Sequence, residues 1–331
     1  MKYLYVDRWN PEQGIIFEAA RVLRAGGLVA FPTETVYGLG ANGLDEQAVK
    51  KIFKAKSRPI DNPLILHISN PAAVDDFAHV NKCARDLMDK FFPGALTLVL
   101  PAKPVVPRSL TANLDTVAFR MPFHPVALAL IESLGSPIAA PSANRSGRPS
   151  PTDASAVIQD AGTEKFIDIV LDGGTCDIGI ESTVIDVTGK DVFLLRPGGV
   201  PTELIEEFLG LKLTIPISTM IKNSPGTRYK HYAPFIPLQL WENNSGASEK
   251  QTFTCSGSYG YIGLNQPDFS CNSSCKEKII FKCVENYARG VYASFRSMEK
   301  IGVSCIIAEV PSQFGIGQAL RDRLFRAAGC L

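Results

Sequence analysis

The sequence predicts an α/β protein: one large twisted mixed sheet with helices packed on it, then a linker and a small Rossmann-like α/β domain. Three observations lead there. Over roughly the first two hundred residues, short apolar runs of strand length alternate with stretches of helical periodicity. After Gly210 the alternation lapses into a segment rich in Pro, Ser and Lys. It then resumes and ends strand, helix, strand, helix, the order of a small parallel sheet. The divisions so read are 1–210, a linker at 211–236, and 237–331.

Each element has a local cause. Ile16, Ala19, Ala20 and Leu23 recur at helical spacing and stop at Gly26-Gly27, a C-terminal breaker. Residues 28–31, LVAF, form a buried strand. Asp45 caps a helix with Ala48, Val49, Ile52 and Phe53 on one face. Further strands are expected at 64–68, 96–100, 117–121, 167–171, 182–187 and 192–195, and helices at 81–92, 125–134 and 153–160. In the last third the strands are 259–264, KIIFKCV (278–284) and CIIAEV (305–310), with helices at 286–300 and 317–328. Tyr287, Val291, Phe295 and Met298 make a helical stripe suited to core packing. No G-x-G-x-x-G follows a strand, so dinucleotide binding has no support.

Composition narrows the function. Hydrophobic residues at 45% and charged residues at 20% describe an ordinary globular chain. A formal net charge of +1 removes the basic excess usual in a dedicated nucleic-acid binder. No apolar run approaches the ~20 residues of a membrane span, and the N-terminal stretch lacks a signal-peptide core. A cytoplasmic protein is therefore expected. Its eight cysteines are scattered without paired zinc spacing and are expected to be reduced.

Chemistry concentrates where strands end. FPTETVYGLG gives a hydroxyl-rich turn, and Lys56-Ser57-Arg58 emerges where a helix runs out. Lys and Arg neutralise oxyanions, Arg with a fork that grips two oxygens. Arg120 sits near a strand end, where a cation on an apolar strand is costly unless it meets an anion. APSANRSGRPSPT (140–152) offers backbone and side-chain donors. GIESTVIDV sets Ser182 and Thr183 at a strand start, and LLRPGG sets Arg196 before a turn. No Ser/His/Asp or Cys/His order, Walker loop or metal-ligand cluster accompanies them. Such a site holds oxyanions and positions reactants without forming a covalent intermediate.

PTETVYGLG, KSRP then NPL, PGALTLVL, RMP, APSAN-x-SG, ESTVID and LRPG, in this order, resemble the YrdC-like domain of the L-threonylcarbamoyladenylate synthases. SPG-x-x-Y-x-HYAP and GIGQALRDRLFRAA are similar to the linker and second domain of that family's two-domain form. The last helix often reads N-R-L there, and here Asp322 takes the Asn place.

The resemblance implies a nucleotidyltransferase that joins L-threonine, bicarbonate and ATP into threonylcarbamoyl-AMP and pyrophosphate, with Mg²⁺ carried by ATP. The product would feed a tRNA threonylcarbamoyl transferase machinery. By the same resemblance Thr35 and His67 line a threonine pocket, and Arg120 pairs with the threonine carboxylate beside Ser182 and the backbone at Ala140. Lys56, Arg58 and Asn62 hold the ATP phosphates. Thr116, Ser142, Asn144 and Ser150 lie on the nucleotide side, and Arg196 stands by the phosphates or carbamate. Tyr37 shapes the pocket and Tyr232 closes it from the linker. Lys56, Arg58 and Arg196 are the expected catalytic groups. Two other readings stay open: an RNA-binding module with weak RNA contact, and an adenylating enzyme that uses carbamoyl phosphate.

Overall fold

The computed structural model describes residues 1–160, 165–215, 231–243 and 250–330. Most of the expected SPGTRYKHYAP linker lies outside the described residues, which resume at His231. Ten strands make the large sheet: Lys2–Tyr5 (β1), Val29–Phe31 (β2), Gly38–Asn42 (β3), Ile65–His67 (β4), Leu96–Pro101 (β5), Thr116–Arg120 (β6), Ile138–Ala139 (β7), Ile169–Asp172 (β8), Thr183–Asp186 (β9) and Phe193–Arg196 (β10). Their spatial order is β1-β8-β2-β3-β7-β4-β6-β5-β9-β10. Parallel pairs such as β4 with β6 and β5 with β9 mix with antiparallel pairs such as β2 with β3 and β5 with β6. The expected large mixed sheet is present.

Three of its strands escape the sequence reading. β3, GLGAN, has no β-branched residue; pairing with β2 on one side and β7 on the other makes it a strand. β7 has only two residues. β1 is mostly exposed and joins the sheet edge through β8.

The second domain carries Leu238–Trp241 (β11), Thr252–Phe253 (β12), Tyr259–Gly263 (β13), Ser270–Cys271 (β14), Cys275–Ile280 (β15) and Cys305–Glu309 (β16). Four of these form an all-parallel sheet in the order β11-β16-β13-β15, while β12 and β14 pair separately. The strand expected at 278–284 stands earlier. β15 pairs in step with β13 from Glu277 to Ile280, the Phe281 amide still donates to the Gly263 carbonyl at 2.9 Å, and the Phe281 ring stacks on Tyr287 at 5.0 Å. The cysteine expectation also needs correction. Cys255 and Cys305 are joined as a disulfide, with Cα atoms 6.1 Å apart. A separation of 50 residues hides that meeting from the sequence. Among the described residues no helix is long and apolar enough to cross a membrane.

One helix, Val284–Ile301, belongs to both domains. Tyr287, Val291, Phe295 and Met298 pack the small sheet as expected. The same cluster takes in Val36 and Ile180 from the first domain. The backbone of Gly179 passes so close to the helix that a Cβ would lie 2.4 Å from Arg289 Cα. Gly179 also has φ +80, a left-handed conformation costly to a residue with a side chain. Gly179→Ala should therefore wedge the junction and lower stability by about 2–4 kcal/mol. Equilibrium urea unfolding measures this, and an unchanged midpoint would contradict the close approach.

Candidate active site

A cavity of ≈ 70 Å³ opens where β2, β4, β6 and β10 end and β9 begins. Its wall includes Arg58, His67, Arg120, Ala140, Ser142, Asn144, Ser182, Arg196 and Tyr232, all expected from the sequence. It also includes Thr33, Arg148, Glu181 and His231, which were not singled out.

The turn after β2 is folded by its own hydroxyls. Thr33 Oγ1 donates to the Val36 carbonyl at 2.7 Å and accepts the amides of Thr35 and Val36 at 3.2 and 3.3 Å. Such Thr-centred turns need no outside partner. Thr35 Oγ1 lies 2.9 Å from Thr33 Oγ1 and is buried behind the wall, so Thr33, not Thr35, faces the cavity. Tyr37 is also behind the wall. Its hydroxyl donates to the Gly174 carbonyl at 2.7 Å, and burial pushes its pKa up.

The helix Glu46–Lys56 delivers Lys56 and Arg58 differently. Ser57 is left-handed at φ 50, which turns the chain so that Arg58 reaches the wall. Arg58 is fixed by Nε to the Asn62 carbonyl at 3.1 Å and Nη2 to the Pro63 carbonyl at 3.0 Å. Lys56 is only 1% exposed and does not line the cavity. Its ammonium donates to the carbonyls of Ser142 and Asn144. Burial, then the Arg58 charge, lowers its pKa to about 7. It thus pins the loop that forms one wall.

Three more expected residues, Asn62, Ser150 and Thr116, stand outside this cavity's wall. Asn62 is buried outside the wall and offers its backbone carbonyl to Arg58. Ser150 is spent on Glu181, donating from Oγ at 2.5 Å. Thr116 begins β6 whereas Arg120 ends it, about 13 Å apart along the strand. It does not line this cavity.

The remaining cations are each answered. Arg120 Nη2 stands 2.8 Å from Glu34 Oε2, an ion pair out of line for a hydrogen bond, with both side chains about 5% exposed. Arg148 is gripped by Glu299 of the second domain at 2.8 and 2.7 Å. Arg196 donates to the Ser182 carbonyl at 3.1 and 2.8 Å and to Ser182 Oγ at 3.2 Å. Burial and the Arg323 charge lower the Arg196 pKa against the raising pull of Tyr232 and Glu181. Burial pushes Glu181 up, yet Arg323, Arg196 and Ser150 outweigh it and hold the carboxylate ionised. Gly198 lets the turn after β10 lie on β9; a Cβ there would meet Ser182 backbone at 2.2 Å.

Neutral polar groups complete the wall. His67 Nδ1, His231 Nε2 and Asn144 Oδ1 are buried without a hydrogen-bond partner among the described residues. Buried polar atoms are nearly always paired, and these three face the cavity with hydrogen-bonding capacity to spare. Burial, then the Arg120 charge, pushes His67 down to about 3; burial, then Arg58, does the same to His231. Among the described residues no group of three or more His, Cys, Asp or Glu could hold a metal ion. With the guanidinium groups of Arg58, Arg120 and Arg196 on its wall, the cavity suits a small ligand rich in oxyanions.

The histidines set a pH dependence. Burial pushes His124, away from the wall, down to about 4. All three histidines bind a proton more readily in the unfolded chain, whose value is near 6.5. Stability should fall as pH drops from about 6.5 toward 3 and be independent of them above that range. His124→Phe should flatten part of this slope in urea unfolding measured at several pH values. An equal slope in the variant would contradict the burial of His124.

Comparison with known proteins identifies the family. A family model described as "Telomere recombination", Sua5_yciO_yrdC, matches residues 21–198. A second, described as "Threonylcarbamoyl-AMP synthase, C-terminal domain", matches residues 200–329. The chain is 44% identical to the threonylcarbamoyl-AMP synthase of Pyrococcus abyssi over 97% of its own length and 96% of that protein. It is likewise 44% identical to the Bacillus subtilis protein of that name, covering 98% and 95%. The crystal structure of P. abyssi Sua5 complexed with L-threonine superposes with a TM-score of 0.87 and 41% identity over 99% of this chain and 98% of that one. The chain belongs to the threonylcarbamoyl-AMP synthase family in its two-domain, Sua5 form.

Proposed function

We propose that this protein is a nucleotidyltransferase that makes L-threonylcarbamoyl-AMP from L-threonine, bicarbonate and Mg²⁺-bound ATP, releasing pyrophosphate and water. The observation that carries the reading is the meeting of Arg58, Arg120 and Arg196 with neutral His67 in one cavity. A relative of the same two-domain build has been crystallised with L-threonine. The product would supply the threonylcarbamoyl group for tRNA modification through a separate transferase, in the cytoplasm.

In this reading each group of the wall has a role. Threonine lies with its carboxylate on the Arg120 fork, beside Ser182 and the Ala140 backbone. His67 cannot carry charge at neutral pH, so it recognises a hydroxyl or amine by hydrogen bonding without repelling the amine. The threonine nitrogen attacks bicarbonate carbon, water leaves, and a carbamate forms. A carbamate oxygen then attacks the α-phosphorus as its bond to the pyrophosphate oxygen breaks. Both partners are anionic, so cations must lower their repulsion. Arg58 and Arg196 face this charge, Ser142 and Asn144 face the nucleotide, and Mg²⁺ enters with the phosphates. Lys56 acts one step back, by holding the Ser142 and Asn144 carbonyls. Tyr232 covers the cavity and keeps water from a labile adenylate.

Pyrophosphate and an AMP-linked product should appear only when threonine and bicarbonate are both present, as mass spectrometry of the mixture would record. Release of ADP and phosphate without threonine would refute the reaction. Arg120→Ala should weaken threonine binding by about 2–5 kcal/mol while leaving ATP affinity nearly unchanged. Calorimetry separates the two, and undiminished threonine affinity would remove Arg120 from its role.

A further inference from the structure

One of the most buried side chains beside the cavity comes from the last helix, Ile316–Ala328, in the second domain. Arg323 is 1% exposed. Its Nε donates to Glu181 Oε2 at 2.7 Å, its Nη2 donates to the Pro197 carbonyl at 3.0 Å, and its Nη1 pairs with Asp322 Oδ2 at 2.6 Å. Its guanidinium carbon lies 5.1 Å from the centre of the Tyr232 ring. That ring stacks on Tyr292 at 5.7 Å, and the Tyr292 hydroxyl returns to Glu181 at 3.2 Å. Three of these partners belong to the wall or adjoin it. Glu181 and Tyr232 line it, Glu181 precedes Ser182, and Pro197 follows Arg196. The Glu181 carbonyl also accepts the Gly199 amide at 2.9 Å, tying the two segments together.

We infer that Arg323 is a positioning residue of the cavity: its planar fork fixes the Glu181-Ser182 and Arg196-Pro197 segments at once, and its face carries the Tyr232 ring. The second domain thereby sets the geometry of a site whose reactive groups it does not supply. Lysine in the same place would keep the charge but lose the fork and the stacking plane. The groups facing Glu181 are Arg323, Arg196, Ser150, Tyr292 and Tyr232, so removal of Arg323 leaves a buried carboxylate short of its nearest cation.

The test uses the full chain and two variants, R323M and R323K. The inference rests on the proposed reaction only for its kinetic readout. Hydrogen–deuterium exchange over residues 181–199 reads positioning directly and needs no substrate. In R323M, exchange there should quicken by about tenfold or more while β2 and β4 keep their protection. Synthesis should lose about 30-fold or more in kcat/KM for threonine. The acidic limb of its pH profile should move toward neutrality, because Glu181 loses the guanidinium that helps keep it ionised. R323K should lie between the wild type and R323M in exchange and in rate. Folded R323M with wild-type exchange over 181–199 and wild-type kinetics overturns the inference. If R323M does not fold, R323K decides: wild-type exchange and kinetics in R323K overturn it equally. A wild-type protein that makes no adenylate refutes the reaction instead, and the exchange comparison still settles the positioning.

Discussion

Buried cations crowded in and around one cavity impose the constraint from which most of this structure follows. Lys56, Arg120, Arg148 and Arg196 are all under 10% exposed, and Arg58 lines the same space. Taking one charge out of water costs several kcal/mol unless close partners replace its hydration. The protein meets that cost in three ways. Lys56 and Arg196 sit on backbone carbonyls, which take up their donors, and burial also lowers the pKa of each. Arg120 is balanced locally by Glu34. Arg148 is balanced by Glu299, a carboxylate brought by the second domain. Within the first domain Arg148 has the longer ion pair with Asp160 at 3.9 Å, and Glu181 draws on Arg196 but takes its direct ion pair from Arg323 on the last helix.

The backbone makes that crowding possible. The cavity lies where strands of one sheet end, so several groups converge without long side chains having to reach for one another. Two unusual conformations aim the ends: Ser57 at φ 50 swings Arg58 inward, and Tyr232 at φ 66 presents its ring to the wall. Non-glycine residues are held in the left-handed region only when their surroundings overdetermine them. Tyr232 meets that condition through His231 at 5.5 Å, Tyr292 at 5.7 Å and the Arg323 guanidinium at 5.1 Å.

Much of this was legible in the chain, and the failures have a common cause. Apolar runs such as LTLVL and the stripe Tyr287, Val291, Phe295, Met298 announce burial through periodicity, and ordered motifs announce the site. The turn residues inside those motifs are harder. Thr35 and Thr33 have the same chemistry, and only the hydrogen bonds within the turn decide which one faces the cavity. Lys56 looks from its sequence like a phosphate ligand, because nothing local shows the carbonyls of Ser142 and Asn144 waiting for it. Glu34, Arg148 and Glu181 lay within quoted motifs, yet their partners come from distant parts of the chain. Pattern reading finds groups that act alone. It misses those whose role is set by a partner more than a hundred residues away, as with Glu181 and Arg323.

The junction helix shows how one sequence can encode two such messages. Its apolar stripe builds the second domain's core, while Arg289, Tyr292, Arg296 and Glu299, at helical spacing on the remaining surface, meet the first domain. Arg289 donates to the Asp177 carbonyl, Tyr292 to Glu181, and Arg296 to Pro149 and Asp160, while Glu299 receives Arg148. An apolar junction of this size could slide with little loss, since apolar contacts have no direction. A polar stripe cannot. A shift by one helical turn, ~5.4 Å, would leave Glu181, Asp160 and Arg148 facing the wrong partners in a place with little water to replace them. The directional contacts of this helix therefore fix the register in which the second domain meets the first, and with it the place of Arg323 beside Glu181.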